Sequence, residues 1–136
     1  VLDAPIWYWP SREMLASAST WMEGGCAMLA GALHRILPGS SIVAVVMRRQ
    51  WEWRPQHFAV AWQGYVIDAD GAVLEATYLR RWRRLEHIDM PDSQVALVPA
   101  TARLRAEANL GGIVYNAAMV DCIEAALRVH LPPQGV

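Results

Sequence analysis

Residues 57–71 read His-Phe-Ala-Val-Ala-Trp-Gln-Gly-Tyr-Val-Ile-Asp-Ala-Asp-Gly. Two apolar runs flank Gln63-Gly64, a dipeptide suited to a tight turn between antiparallel strands. With a two-residue turn, Trp62 faces Tyr65, Ala61 faces Val66, Ala59 faces Asp68 and His57 faces Asp70. Side chains alternate along a strand, so His57, Ala59, Asp68 and Asp70 share one face of this hairpin. One imidazole then has two carboxylates in reach, Asp70 directly opposite and Asp68 on the diagonal. A three-residue turn would put both aspartates on the other face. Only alanine separates the polar groups, which leaves room for a helix to pack on that face.

Residues 23–37, Glu-Gly-Gly-Cys-Ala-Met-Leu-Ala-Gly-Ala-Leu-His-Arg-Ile-Leu, supply such a helix. It runs from about Cys26 to Ile36. Cys26, Leu29, Ala30, Leu33 and Leu37 fall on one face at helical spacing, and Pro38-Gly39 stops it. A cysteine nucleophile needs help towards the thiolate, a base within hydrogen-bond reach and a group that orients the base. A helix N-terminus contributes to the first through its unpaired N–H groups and its dipole. Gly24-Gly25 let a substrate backbone approach and leave amides free to hold an oxyanion.

The rest of the chain reads as helix, sheet, helix. Ser11 after Pro10 caps a helix over 11–22. Residues 41–48 are rich in β-branched side chains and form a buried strand. Residues 49–55 read as a loop, 57–62 and 65–68 as strands, and Asp70-Gly71 ends the hairpin. Residues 75–86 read as a helix with Leu74, Tyr78, Leu79 and Trp82 inward, and 94–98 as a fourth strand. A short helix over 101–108 and a last helix from Tyr115 to His130 follow, with Cys122 in its core. The class is α+β: helices packed on a mostly antiparallel sheet of about four strands.

The 136 residues suffice for one domain spanning 1–136, with 54% hydrophobic and 18% charged residues. A formal net charge of −1 predicts no general attraction to nucleic acid or to an acidic membrane. No apolar run is long enough for a transmembrane helix and no signal peptide is visible, so a cytoplasmic protein, or one delivered as part of a larger system, is expected. The arginine–tryptophan run at 79–86 makes a solvated helix face with Trp82 turned inward. Asp68-Ala69-Asp70-Gly71 has Leu79 where a calcium loop needs its bidentate glutamate. No metal-ligand spacing occurs. His34 lies two turns from Cys26, roughly 12 Å at the helical rise, too far to serve as its base.

Gly-Gly-Cys at a helix start, followed by the 57–71 stretch, resembles the papain-like cysteine peptidase superfamily. More narrowly it resembles compact bacterial members and transglutaminase-like and NlpC/P60-like cores. The resemblance covers residues 20 to 71. It implies a papain-like core with Cys26 as nucleophile, His57 as general base and acid, and Asp68 as the group that orients His57. Asp68 ends the run Tyr-Val-Ile, where the family places its third residue; Asp70 is the alternative that the register count favours. Papain-type enzymes carry an oxyanion-donating glutamine six residues before the cysteine, and this chain has Thr20 there. Glu23 lies three residues before Cys26, where a carboxylate opposes a thiolate unless it turns away or pairs with an arginine. The implied activity is a thiol hydrolase, peptidase or amidase, that needs no cofactor and acts on a peptide or protein. The same triad serves an acyltransferase, a transglutaminase or a glutamine deamidase. An inactive binding module is the non-enzyme alternative.

Seven tryptophans stand against one phenylalanine. Trp7, Trp9, Trp51 and Trp53 sit beside prolines and charges rather than in strand or helix centres. Exposed indoles of this kind line grooves. Trp21, Trp51, Trp53 and Trp9 are the candidate groove residues, with Gly25 and Thr20 at the oxyanion position. Each residue alone has a bland reading, since cysteine is commonly buried packing and a strand histidine beside an aspartate is commonly a satisfied pair. Their conjunction in this order points to chemistry.

Overall fold

The computed structural model describes residues 26–49, 52–89, 94–102 and 117–130. These form an α+β arrangement, in chain order α1 (Cys26–Ile36), β1 (Ser41–Arg49), β2 (Glu52–Trp62), β3 (Tyr65–Asp68), β4 (Gly71–Leu74), α2 (Glu75–Asp89), β5 (Gln94–Pro99) and α3 (Ala117–His130). The five strands make one antiparallel sheet in the order β4-β3-β2-β1-β5.

β1 has a neighbour on each side and helices over both faces, and its sequence reflects this. Val43 and Val45 point to one face, Ala44 and Val46 to the other, and all four are buried. A strand covered on both faces needs no polar alternation. On one face α1 and α3 pack against Ala44, Val46, Phe58, Val60 and Ile67. On the other, α2 brings Tyr78, Leu79 and Trp82 over Val43, Val45, Ala59 and Val66. α1 is buried nearly all round, with Met28, Gly31 and Ala32 joining the expected stripe, because it lies between the sheet and α3. Trp62 donates its indole N–H to the Pro38 carbonyl at 3.0 Å, tying the end of β2 to the turn that follows α1.

The hairpin has the expected register, with Trp62 opposite Tyr65, Ala61 opposite Val66 and Val60 opposite Ile67. Gln63 and Gly64 both have positive φ, 51° and 83°, which is the type I′ geometry that matches strand twist.

Several expectations are corrected. Residues 52–55 are strand, not loop: the ladder with β1 continues through a bulge between Val45 and Val46, and a bulge is where a strand tolerates a proline such as Pro55. Gly71–Leu74 forms a short edge strand against β3, so the sheet has five strands rather than four. The helix bearing Cys26 does not cover the alanine face. It packs on the face of Phe58, Val60 and Ile67, and the bulky rings of α2 fill the space over Ala59 and Ala61. Cys122 is exposed, because the buried side of α3 is Val120, Ile123 and Leu127. The 11–22 helix and most of the 101–108 helix lie outside the described residues.

A Cβ at Gly64 would meet no heavy atom within 4 Å, so only the backbone opposes a side chain there. Gly64→Ala is expected to lower stability by about 1–2 kcal/mol, the cost of a left-handed residue with a Cβ. Gln63→Asn, which suits the same turn better, is expected to give a smaller gain. Urea midpoints of the two variants measure both.

Candidate active site

Three elements meet at one imidazole. His57 sits in β2 immediately after Gln56, the extra residue of the bulge, since Val45 pairs with His57 and Val46 with Pro55. A bulge of this kind bends the strand and re-aims the neighbouring side chain. β3 supplies Asp68, whose Oδ2 lies 3.0 Å from His57 Nε2. α1 supplies Cys26, the first described residue of that helix, close enough to the His57 ring to help raise its pKa.

The sheet's shape permits this meeting. β3 ends at Asp68, while β2 runs on past His57 towards Glu52. Among the described residues no strand flanks His57 on that side, so a group from the α1 face reaches an imidazole that leans towards α2.

The hairpin count placed Asp70 opposite His57 and Asp68 on the diagonal. The structure brings Asp68 to the ring. The chain turns at Ala69-Asp70 into β4, pairing Asp68 with Gly71, and this takes position 70 out of the ladder. Asp70 is exposed and gives its backbone N–H to Asp68 Oδ1 at 2.8 Å. Partial burial and the neighbouring Asp68 charge push the Asp70 carboxyl up, against the opposing charges of His57 and Arg81.

The site is closed off from solvent. Cys26 is 1% exposed, His57 0% and Asp68 3%. Burial opposes a charged imidazole, but the hydrogen bonds to Asp68 and to Cys26, together with the Cys26 and Asp68 charges, outweigh it, and the His57 pKa is pushed up to about 9. The ring is therefore an imidazolium at neutral pH, hydrogen-bonded to Asp68.

Two further residues belong to the site. Tyr78 donates its hydroxyl proton to Asp68 Oδ2 at 2.8 Å. Trp82 lies against His57, with ring centroids 5.4 Å apart and planes tilted by 31°. The sequence shows both only as the inner face of a helix. The spacing of Tyr78 and Trp82, one helical turn apart, carried the signal, but it needed the knowledge that this helix covers the histidine's face. Trp53 stands 45% exposed near the start of β2. Thr20, Trp21, Gly25 and Trp51, also Trp7 and Trp9, lie outside the described residues.

His34 is exposed, and its Nδ1 lies 3.0 Å from Ser40 Oγ, away from this chemistry. Among the described residues no group of three or more His, Cys, Asp or Glu side chains is placed to hold a metal ion. No helix among them is long and apolar enough to cross a membrane. Arg80, Arg81, Arg83 and Arg84 line the exposed side of α2, as expected of a solvated face. Comparison with family models, with curated proteins and with solved structures finds no match to this chain. The residues themselves therefore carry the functional argument.

The raised His57 pKa links the site to stability. A folded-state pKa of about 9 against an ordinary 6.5 means that His57 contributes its full stabilisation below pH 6.5 and loses it as pH rises through about 9. Unfolding free energy measured by urea titration is expected to fall between pH 6.5 and 9. His57→Gln, which has no such proton to lose, is expected to flatten that slope.

Proposed function

We propose that this chain is a papain-like thiol hydrolase that cleaves an amide bond in a peptide or protein substrate. The observation that carries the reading is one buried imidazole with Asp68 3.0 Å from its Nε2 and Cys26 near enough to help raise its pKa.

The chemistry follows from those contacts. Asp68 holds the ring in one orientation and one tautomer, as the third member of such triads does. In the resting pair the shared proton sits on His57, giving a thiolate beside an imidazolium. The thiolate attacks the substrate carbonyl carbon, forming a C–S bond and a tetrahedral oxyanion. Backbone N–H groups at Gly25-Cys26, with the Thr20 hydroxyl, are the candidate donors to that oxyanion. The imidazolium passes its proton to the leaving nitrogen, the C–N bond breaks and a thioester remains. Water, deprotonated by His57, then attacks the thioester, breaks the C–S bond and releases the acid, and the proton stays on His57 beside the freed thiolate. Trp53 and Trp51, with Trp21, are the groove candidates. An amine in place of water would make the same machinery a transferase, and a glutamine side chain as substrate would make it a deamidase.

The near-complete burial of Cys26 favours a second reading, a papain-like binding module in which the thiol is packing. Alkylation separates the two. Cys122 is exposed, so the measurement uses a Cys122→Ser background. In a hydrolase, iodoacetamide labels Cys26 rapidly down to about pH 6, and His57→Ala slows this labelling at least about tenfold. Bulky maleimides are expected to lag behind iodoacetamide, since the sulfur is reached only through a closed site. Labelling that follows an ordinary free thiol and ignores His57→Ala would leave the binding module as the better account.

A further inference from the structure

The Tyr78 hydroxyl is the buried polar group that the triad leaves without a role. Tyr78 comes from α2 and is 4% exposed. Its hydroxyl is 2.8 Å from Asp68 Oδ2, the same oxygen that lies 3.0 Å from His57 Nε2. Asp68 Oδ1 is taken by the Asp70 backbone N–H at 2.8 Å. One carboxylate thus meets three donors, and two of them share a single oxygen.

The direction of the tyrosine hydrogen bond follows from its partners. A carboxylate only accepts, so the hydroxyl donates to Asp68 Oδ2. Burial, the Asp68 charge and the bond to Asp68 push the tyrosine's ionisation far upward, so the hydroxyl keeps its proton through the whole working range of pH.

We propose that Tyr78 is a positioning residue that, by sharing Asp68 Oδ2 with His57, weakens the carboxylate's hold on the imidazolium proton and so sets how readily His57 passes that proton on. This rests on the hydrolase reading of Cys26, His57 and Asp68. A carboxylate that donors already solvate is a poorer acceptor for each further one. Without Tyr78 the whole density of Oδ2 would face His57. The ring would then hold its proton more tightly and be a weaker acid towards the leaving nitrogen, the step that completes acylation.

Among the described residues, groups from three elements and one turn face His57 or act on it. Asp68 comes from β3, Cys26 from α1, and Tyr78 and Trp82 from α2. Asp70, in the turn after β3, adds its charge, and Arg81 of α2 acts on Asp70. Val45, opposite His57 on β1, is apolar. Removing the tyrosine hydroxyl alone therefore leaves Asp68 held at Oδ1 and changes one donor on Oδ2.

The test is the NMR titration of the assigned His57 ring. Tyr78→Phe is expected to move its midpoint upward by about half a pH unit or more, roughly threefold in proton affinity. Incorporation of 3-fluorotyrosine, a stronger donor of nearly the same shape, is expected to move it downward, and this arm remains if Tyr78→Phe does not fold. A purely structural role for Tyr78 predicts neither sign. A midpoint that stays put or falls in Tyr78→Phe, or that stays put or rises with fluorotyrosine, overturns the inference. Cys26 labelling in the same samples separates the two levels. Labelling that depends on His57 while the titration ignores both changes to Tyr78 removes this inference alone. Labelling that ignores His57→Ala removes the hydrolase reading and the inference together.

Discussion

A protonated imidazole in a dry interior is unstable unless its charge is met within hydrogen-bond distance, and His57 is such a group. The contact that meets it is the 3.0 Å bond from Nε2 to Asp68. Much of the local architecture serves that bond. The type I′ turn at Gln63-Gly64 sets the register that brings Asp68 diagonally across from His57. The bulge at Gln56 re-aims the histidine. The Ala69-Asp70 turn returns the chain at the point where its amide can hold Asp68 Oδ1. Each device is local, and each would be without purpose in a hairpin that only had to bury apolar side chains.

The helix α2 finishes the work from the other side. Tyr78 donates to Asp68 Oδ2, and Trp82 lies against the imidazole. Aromatic cover of this kind lowers the local dielectric, which strengthens the charge-assisted bonds beneath it. The small side chains Ala59 and Ala61 make room for these rings. The alanines thus serve the aromatic helix and not the cysteine helix, which takes the larger apolar set on the opposite face.

What could be read from the sequence, and what could not, divides along the same line. The turn, the register and α1 from Cys26 to Ile36 were legible, because each rests on local chemistry: a Gln-Gly turn, period-two alternation, and an apolar stripe ended by Pro38-Gly39. That Cys26, His57 and Asp68 meet was legible only with the family resemblance, since the register alone favoured Asp70. The bulge was hidden because its extra residue falls beside Pro55, and a proline in an aromatic, charged stretch reads as loop. The choice of face was hidden as well. Both faces of β2 carry apolar residues, and only the tertiary competition between α1 and α2 decides which helix takes which. Tyr78 and Trp82 were visible as an inward stripe, but nothing local says what lies beneath it.

Burial gives this site its strength and also its constraint. In a low-dielectric pocket the imidazolium, the carboxylate and the sulfur are bound to one another far more firmly than they would be in water. The same enclosure means that none of them can be removed without stranding a partner's charge, so site and fold are energetically one object here. An exposed triad could lose Asp68 and keep its sheet. In this chain Asp68 is at once the hydrogen-bond partner of His57, the anchor for the Asp70 turn and the acceptor that draws Tyr78 of α2 onto the sheet. The charge partner of His57 and the packing of α2 against β3 therefore depend on the same two oxygens.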